Sequence, residues 1–306
     1  MNEQGTITLV IPTYNRREML RQTLLGYLNQ SAANLIYELI VVDDGSSDGS
    51  AQVVDEIRKR APFGIQYFYQ ENRGPSIARN FAIQRVQSPL TLMTDDDMIP
   101  DTDLIAKHVA QHKKNPEAPV AVLGLVEWWP ALKPTPFMQW YGQAGPLFGY
   151  GQIQNGQEVD YRYFYSCNLS LKTEFLQTHG KFDETFKMAA YEDVELGFRL
   201  TQAGMRIVYN AQAITYHCQF FTFAQACLKT RKAAIARKQF LQTEAGRHYM
   251  ETRKVREGSL ALLYGRRAAA AMFRPARLLL DSHIPLPSII YRSLFWHYAI
   301  QPTSAD

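Results

Sequence analysis

Four short apolar runs, each broken by polar residues, leave this chain few choices of fold. Residues 6–11 end at Pro12-Thr13-Tyr14-Asn15 and are followed by Leu20, Leu24, Leu25 and Leu28 at helical spacing. Residues 37–42 end at Asp43-Asp44-Gly45-Ser46-Ser47-Asp48-Gly49, and Val53 and Ile57 mark the next helix. Residues 65–69 read as a third strand, and Gly74-Pro75 opens a helix through Ala78, Phe81, Ala82 and Val86. Residues 89–93 read as a fourth strand, which runs into Asp95-Asp96-Asp97. Strand and helix alternating over short connections predict right-handed βαβ units: an α/β, Rossmann-like open, mostly parallel sheet with helices on both faces. The polar clusters all fall at strand ends, the edge where such sheets bind ligands.

Further on, a helix is expected over 101–115 and a fifth strand over 120–126. Residues 127–160 read as irregular and aromatic, with Trp128, Trp129 and Trp140. Residues 163–171 read as extended, 191–203 as a helix closed by Gly204, and 206–216 as extended again. From 220 the pattern is mainly helical to the end. The 306 residues carry a prior of about two domains. The expected division is a catalytic domain over 1–219, with halves 1–115 and 116–219, and a basic helical extension over 220–306.

Charge supports that division. The extension holds 14 Lys and Arg against 5 Asp and Glu, leaving 19 against 24 in the remainder. A basic tail on a mildly acidic body suits an anionic partner such as a membrane surface; a solvated helical face is the alternative. No nucleic-acid partner is expected, and a homo-oligomer stays open. The three cysteines are odd in number and lack metal-ligand spacing, which fits reduced thiols. Residues 1–5 are too short and polar for a signal peptide, and no run of 18 apolar residues occurs. The expected place is the cytoplasm, with contact at the inner face of the cell membrane.

Several clusters carry chemistry. Three adjacent carboxylates repel one another, and a hard divalent ion such as Mg²⁺ or Mn²⁺, shared with substrate phosphates, would relieve them. The bland alternative is an acidic turn with Asp101 or Asp103 capping the next helix. Asp43 could accept hydrogen bonds from a base or ribose, or form a local Asx-type turn. Arg73 and Arg79 flank a helix start suited to anions, though Arg79 could simply pair with Asp43 or Asp95. Glu192 and Asp193 open a helix: either they cap it, or one takes a proton from an incoming hydroxyl. His217 ends an extended run, as a structural residue or a metal ligand. There is no Gly-x-Gly-x-x-Gly after the first strand and no P-loop signature, which disfavours dinucleotide dehydrogenases and P-loop enzymes.

Six motifs occur in order: Ile11-Pro12-Thr13-Tyr14-Asn15-Arg16; Val42-Asp43-Asp44-Gly45-Ser46-Ser47-Asp48; Asn72-Arg73-Gly74 with Ala78-Arg79-Asn80; Asp95-Asp96-Asp97; Gly180-Lys181-Phe182-Asp183-Glu184; and Glu192-Asp193-Val194-Glu195-Leu196. Together they resemble the inverting family 2 glycosyltransferases of the GT-A fold, over about residues 6–217. The resemblance implies a metal-dependent transfer from a nucleoside-diphosphate sugar, a UDP-sugar first among them, to a glycan, lipid-linked or other glycoconjugate hydroxyl. The Gln-x-x-Arg-Trp motif and membrane spans of processive synthases are absent, so a non-processive transfer is expected. The resemblance implies that Pro12, Thr13 and Tyr14 line the base, with Arg16 and Asp96 in the same donor-binding group. Asp43 would bond the base and Arg79 would lie near base or diphosphate. Asp95 would touch the ribose, and Asp97 and His217 would hold Mn²⁺ or Mg²⁺. Asp193, with Glu192 beside it, would be the catalytic base, and Asn168 and the Phe182-Asp183-Glu184 turn would lie in the region that shapes the acceptor side. A nucleotidyltransferase that makes nucleotide sugars and a non-catalytic nucleotide-sugar-binding subunit are the competing readings.

Overall fold

A computed structural model describes residues 5–116, 119–254 and 274–300. The predicted alternation is observed: β1 (Ile7–Thr13), α1 (Arg17–Leu28), β2 (Ile36–Asp43), α2 (Ser50–Arg58), β3 (Gly64–Tyr69), α3 (Pro75–Ile83) and β4 (Leu90–Thr94). Next come β5 (Met98–Pro100), α4 (Leu104–Lys114), β6 (Val120–Trp128), α5 (Pro136–Gln143), β7 (Glu158–Val159), β8 (Asn168–Lys172), α6 (Thr173–His179), α7 (Glu192–Gln202) and β9 (Arg206–His217). Helices α8 (Phe223–Phe240), α9 (Glu244–Lys254) and α10 (Ser288–Ile300) complete the described elements. The helical expectation for 255–273 and 301–306 lies outside the described residues.

The sheet order is β3-β2-β1-β4-β8-β6-β9-β5, with β7 on β9. β1 pairs in parallel with β2 and β4, and β2 with β3. β8 runs antiparallel to both β4 and β6, and β6 runs parallel to β9. Two reversals cancel, so β6 and β9 point the same way as β1 to β4. Trp128 and His217 therefore end on the same rim as Thr13, Asp43 and Thr94.

Both faces of the central strands are covered, which is why they read as unbroken apolar runs rather than alternating ones. Ile7, Leu9 and Ile11 pack with Leu20, Leu24, Val53, Ile57 and Leu104 on the face of α1, α2 and α4. The other face receives α3, whose Ala78 and Ala82 are fully buried.

Asn168 braces the sheet. The β6–β9 register jumps from Gly124↔Asn210 to Leu125↔Ile214, leaving a bulge in β9. The Asn168 side chain spans that bulge, donating to the Leu125 and Ala213 carbonyls at 3.0 Å each. Its Oδ1 meets His108 Nε2 of α4 at 2.9 Å, so both polar atoms of its amide are used between the sheet and that helix. Gly124 leaves room for this: a Cβ there would run into the Asn168 amide.

Clustered by packing, the chain falls into two units. The first holds Met1–Trp129 and Ile153–Cys218; the second holds Pro130–Gln152 and Gln219–Asp306. The segment 130–152 thus leaves the expected 116–219 half. The segment 127–160 is not irregular throughout, because α5 lies within it. Thr135 caps α5 by accepting from the Met138 N–H, and Pro136 stands at its first turn. The reason for its allegiance is aromatic. Phe137 lies 5.7 Å from Tyr141, 5.3 Å from Phe223 and 6.0 Å from Tyr291, and Trp140 lies 5.8 Å from Tyr291. Such rings bury more apolar surface per residue than any other side chain. No helix among the described residues is long and apolar enough to cross a membrane.

A pH effect follows from two buried histidines of α4. His108 and His112 both reach Ser170 Oγ, at 2.7 and 2.9 Å. Burial lowers His108 to about 4 and, with help from His108, His112 to about 3. As pH falls below about 6.5 the unfolded chain binds protons that these rings refuse, so stability is lost progressively towards pH 4. For His108 alone the loss near its folded pKa of about 4 is about 3 kcal/mol. Urea unfolding should show this slope between pH 7 and 4, and His108→Gln should flatten it.

Candidate active site

The Asp triplet follows β4 directly, and the next residues turn into the short strand β5. β5 pairs antiparallel with the end of β9, setting Met98 opposite His217. The Cys218 N–H donates to the Asp97 carbonyl at 2.9 Å, which locks the junction. His217 Nε2 then stands 3.8 Å from Asp97 Oδ2, with the Trp128 ring edge-on at 5.3 Å. One hundred and twenty positions separate the two residues in sequence, so only strand pairing brings them together.

Asp96 and Asp97 are both buried, at 3% exposure each. Arg16 answers the resulting repulsion with Nη1 at 3.1 Å from Asp96 Oδ1 and 2.6 Å from Asp97 Oδ2. Asp96 also accepts from the Thr13 hydroxyl at 2.7 Å. Burial, and then the Asp97 charge, raise the Asp96 carboxyl despite Arg16. Arg16 itself stays protonated: burial works against its charge, but Asp97 and Asp96 outweigh it. The capping alternative for Asp101 and Asp103 is not what forms. Asp103 precedes α4 without a side-chain cap, and Gln30, just beyond α1, serves the helix start instead, accepting from the Ile105 N–H at 3.0 Å.

Arg79 joins the two sides of the rim. Its Nη2 lies 2.7 Å from Asp95 Oδ1 and its Nη1 lies 3.0 Å from Glu192 Oε1, with the side chain only 3% exposed. The Phe182 ring lies under the guanidinium at 5.4 Å. Asn80 holds that turn by exchanging bonds with the Phe182 backbone, 2.9 Å to its carbonyl and 2.8 Å from its N–H. Arg79 is therefore committed to carboxylates, as one of the two sequence readings allowed. Among the described residues, its Nε and Glu192 Oε2 are buried without hydrogen-bond partners.

Asp193 is half-buried at the start of α7. Its carboxylate accepts from the Val194 N–H at 2.8 Å and from the Ser166 N–H. Burial raises its pKa, Arg79 and these two bonds oppose that, and the Asp95 charge adds to it. Glu192 is raised by burial and then by the charge of Asp193. Tyr191, just before them, sits in the left-handed region at φ +69°, a strained setting for a bulky residue.

Asp43 forms the Asx-type turn, accepting from the Ser46 N–H at 2.7 Å, and its other oxygen accepts from the Tyr67 hydroxyl at 2.6 Å. Asp44 accepts from the Arg73 and Gly74 N–H groups at 2.9 Å each, and Gly74 does this at φ +101°. These bonds tie the second strand end to the start of α3. Pro12 is half-buried, Thr13 buried, and Tyr14 48% exposed on the same rim. Sequence reasoning missed Ser166 and Cys167, which precede β8. Cys167 is buried, and its thiol is pushed well up by burial and by Asp95, Asp193 and Asp97. Neither residue carries a spacing signal; the antiparallel Thr94↔Asn168 pairing alone brings them here.

The donor atoms fit a divalent ion. A carboxylate and an imidazole face each other across 3.8 Å, and a cationic guanidinium already sits against that carboxylate. Among the described residues no group of three or more His, Cys, Asp or Glu forms a ready cage. Two protein ligands suit Mg²⁺ or Mn²⁺ of the kind that shares its shell with phosphate oxygens.

Removing Arg79 would leave Glu192 buried beside Asp193 with no compensating charge. Arg79→Ala should cost about 3–5 kcal/mol in denaturant unfolding. Adding Glu192→Gln to that variant should recover part of the loss, a non-additivity that unfolding of all three variants reads directly.

Residues 8–142 match the family described as Glycosyl transferase family 2. By sequence, the chain is 26% identical over 69% of its length to the uncharacterized glycosyltransferase YfnE of Bacillus subtilis (strain 168). It spans 64% of that relative's length, and 54% and 50% of two further relatives. Among solved structures it resembles the mannosyltransferase PcManGT from Pyrobaculum calidifontis in complex with GDP-Man and Mn2+, with TM-score 0.58 and 18% identity over 97% of this chain and 88% of that one. It also resembles S. aureus TarS 1–349 in complex with UDP, with TM-score 0.57 and 17% identity over 96% of this chain and 89% of that one. The ordered motifs and these likenesses agree: residues 8–142 match the family 2 glycosyltransferases, and the fold is the GT-A fold of the structural neighbours.

Proposed function

We propose that this protein transfers a sugar from a UDP-sugar to a hydroxyl of a glycan, lipid-linked or other glycoconjugate acceptor, with inversion and one or few sugars per encounter. The Asp95–Arg79–Glu192 bridge carries this reading. It holds the acidic turn after β4 and the acidic start of α7 on one buried guanidinium, so a donor and a base can face one reacting carbon. The bound nucleotides in the structural neighbours support the donor class.

In this reading Pro12, Thr13 and Tyr14 line the base, and Asp43 bonds it. Asp95 meets the ribose. Arg16 and Asp96 order the donor floor. Asp97 and His217 hold Mn²⁺ or Mg²⁺, which when bound supplies positive charge to the departing diphosphate. Arg79 fixes Asp95 and Glu192 beside the donor. Asp193 accepts the acceptor hydroxyl proton as the new bond to the anomeric carbon forms. The carbon–oxygen bond to the diphosphate breaks on the opposite face. A raised carboxyl pKa brings Asp193 closer to neutrality, where a general base is most effective. The three buried free cysteines suit a reducing compartment, in keeping with action in the cytoplasm.

The deciding experiment follows nucleotide release from UDP-, GDP- and dTDP-sugars with Mn²⁺ or Mg²⁺, with and without EDTA. Metal-dependent UDP release from one sugar is expected; no binding and no release across the panel would sink the reading. Asp193→Asn should lower turnover by roughly 10²–10⁴-fold while donor binding persists. The acid limb of the kcat profile should lie above the ordinary carboxylate range, activity falling as Asp193 takes up its proton.

A further inference from the structure

The exposed surface is chemically uneven. Among the described residues, the large hydrophobic side chains exposed to solvent include three tyrosines of the first unit, Tyr14, Tyr37 and Tyr69. The other six, Phe220, Leu228, Ile235, Leu278, Ile284 and Ile289, all belong to the second unit.

Helix α8 organises this surface. Leu228 and Ile235 are seven residues apart, two helical turns, and share one face at 46% and 70% exposure. Lys232 is exposed between them on the same face. The helix carries Lys229, Arg231, Lys232, Arg237 and Lys238 and no acidic residue. Its first N–H, at Phe223, donates to Asp281 at 2.6 Å, which brings the segment bearing Leu278 and Ile284 to the start of α8. Leu278 is 90% exposed there.

Aliphatic side chains interleaved with lysines fit one kind of partner better than another. Protein interface cores exclude lysine and gather their apolar residues together. A bilayer surface rewards the mixture, because aliphatics enter the headgroup boundary while lysine stems run upward to anionic headgroups. We propose that α8, with residues 278–289, docks the protein on a bilayer surface rich in anionic phospholipid. The docking stands independently of the transferase reading, and it would bring a lipid-borne acceptor to the enzyme. With only a narrow apolar stripe on α8, the charges carry much of the attachment, so it is sensitive to salt.

The test uses the full chain with sedimenting vesicles of phosphatidylcholine alone or mixed with phosphatidylglycerol. Binding should require phosphatidylglycerol and weaken as salt is raised. Lys232→Glu should reduce it by about an order of magnitude, each basic residue near the surface contributing about five-fold. Leu228→Ser with Ile235→Ser, both at exposed sites, should reduce it at low salt with the circular dichroism spectrum unchanged. Equal behaviour on both vesicle types overturns the proposal, as does binding that neither variant alters. Self-association in sizing experiments that is lost with the Leu228 and Ile235 changes would assign the face to a second copy, and also overturns it.

Discussion

A single buried guanidinium holds the rim of this protein together. Arg79 faces Asp95 on one side and Glu192 on the other, and it also lowers the energy of the Asp193 charge. Three carboxylates in such a place are tolerable only with a cation among them, since burying an unpaired charge costs more than the fold can spare. Arg79 in turn depends on α3. Gly74 starts that helix against Asp44, and Asn80 clamps the turn whose Phe182 lies beneath the guanidinium. The acidic rim, the helix start at Gly74 and the segment before α7 are thus parts of one electrostatic arrangement.

The sheet makes the second half of the rim through its order. β8 enters antiparallel between β4 and β6, and the two reversals return β6 and β9 to the direction of β1. That return is why the end of β9 delivers His217 to Asp97. Asn168 pins the bulge in β9 at the same level, so the brace and the site share one strand end. The buried His108–Ser170–His112 cluster behind it is neutral and structural, and its histidines are occupied by the sheet rather than by the rim.

Much of this was legible beforehand. The βαβ alternation and the polar strand ends follow from local apolar runs and polar breaks, whereas the choice of Asp97, His217 and Asp193 rests on the family resemblance. The open reading of Arg79 was decided by Asp95 and Glu192, and Glu192 lies far off in sequence. Asp43 forms its turn through Ser46 and adds Tyr67 from the neighbouring strand. The aromatic stretch after Trp128 was misread as irregular although Thr135-Pro136 signals a helix start. Its stability comes from rings that lie far off in sequence. The partners of Asn168 are equally beyond local reading: they come from α4, β6 and β9.

The sequence by itself determined the α/β alternation, the acidic clusters at strand ends and the basic character of the last third of the chain. These depend on periodicity and composition, which act over a turn or a strand. Tertiary structure alone decided that Arg79 serves carboxylates, that His217 meets Asp97, and that 130–152 packs with the helical unit. Each depends on strand order or on burial between distant segments. Charge pairing and aromatic packing act through space at a few ångströms, so no reading along the chain contains them.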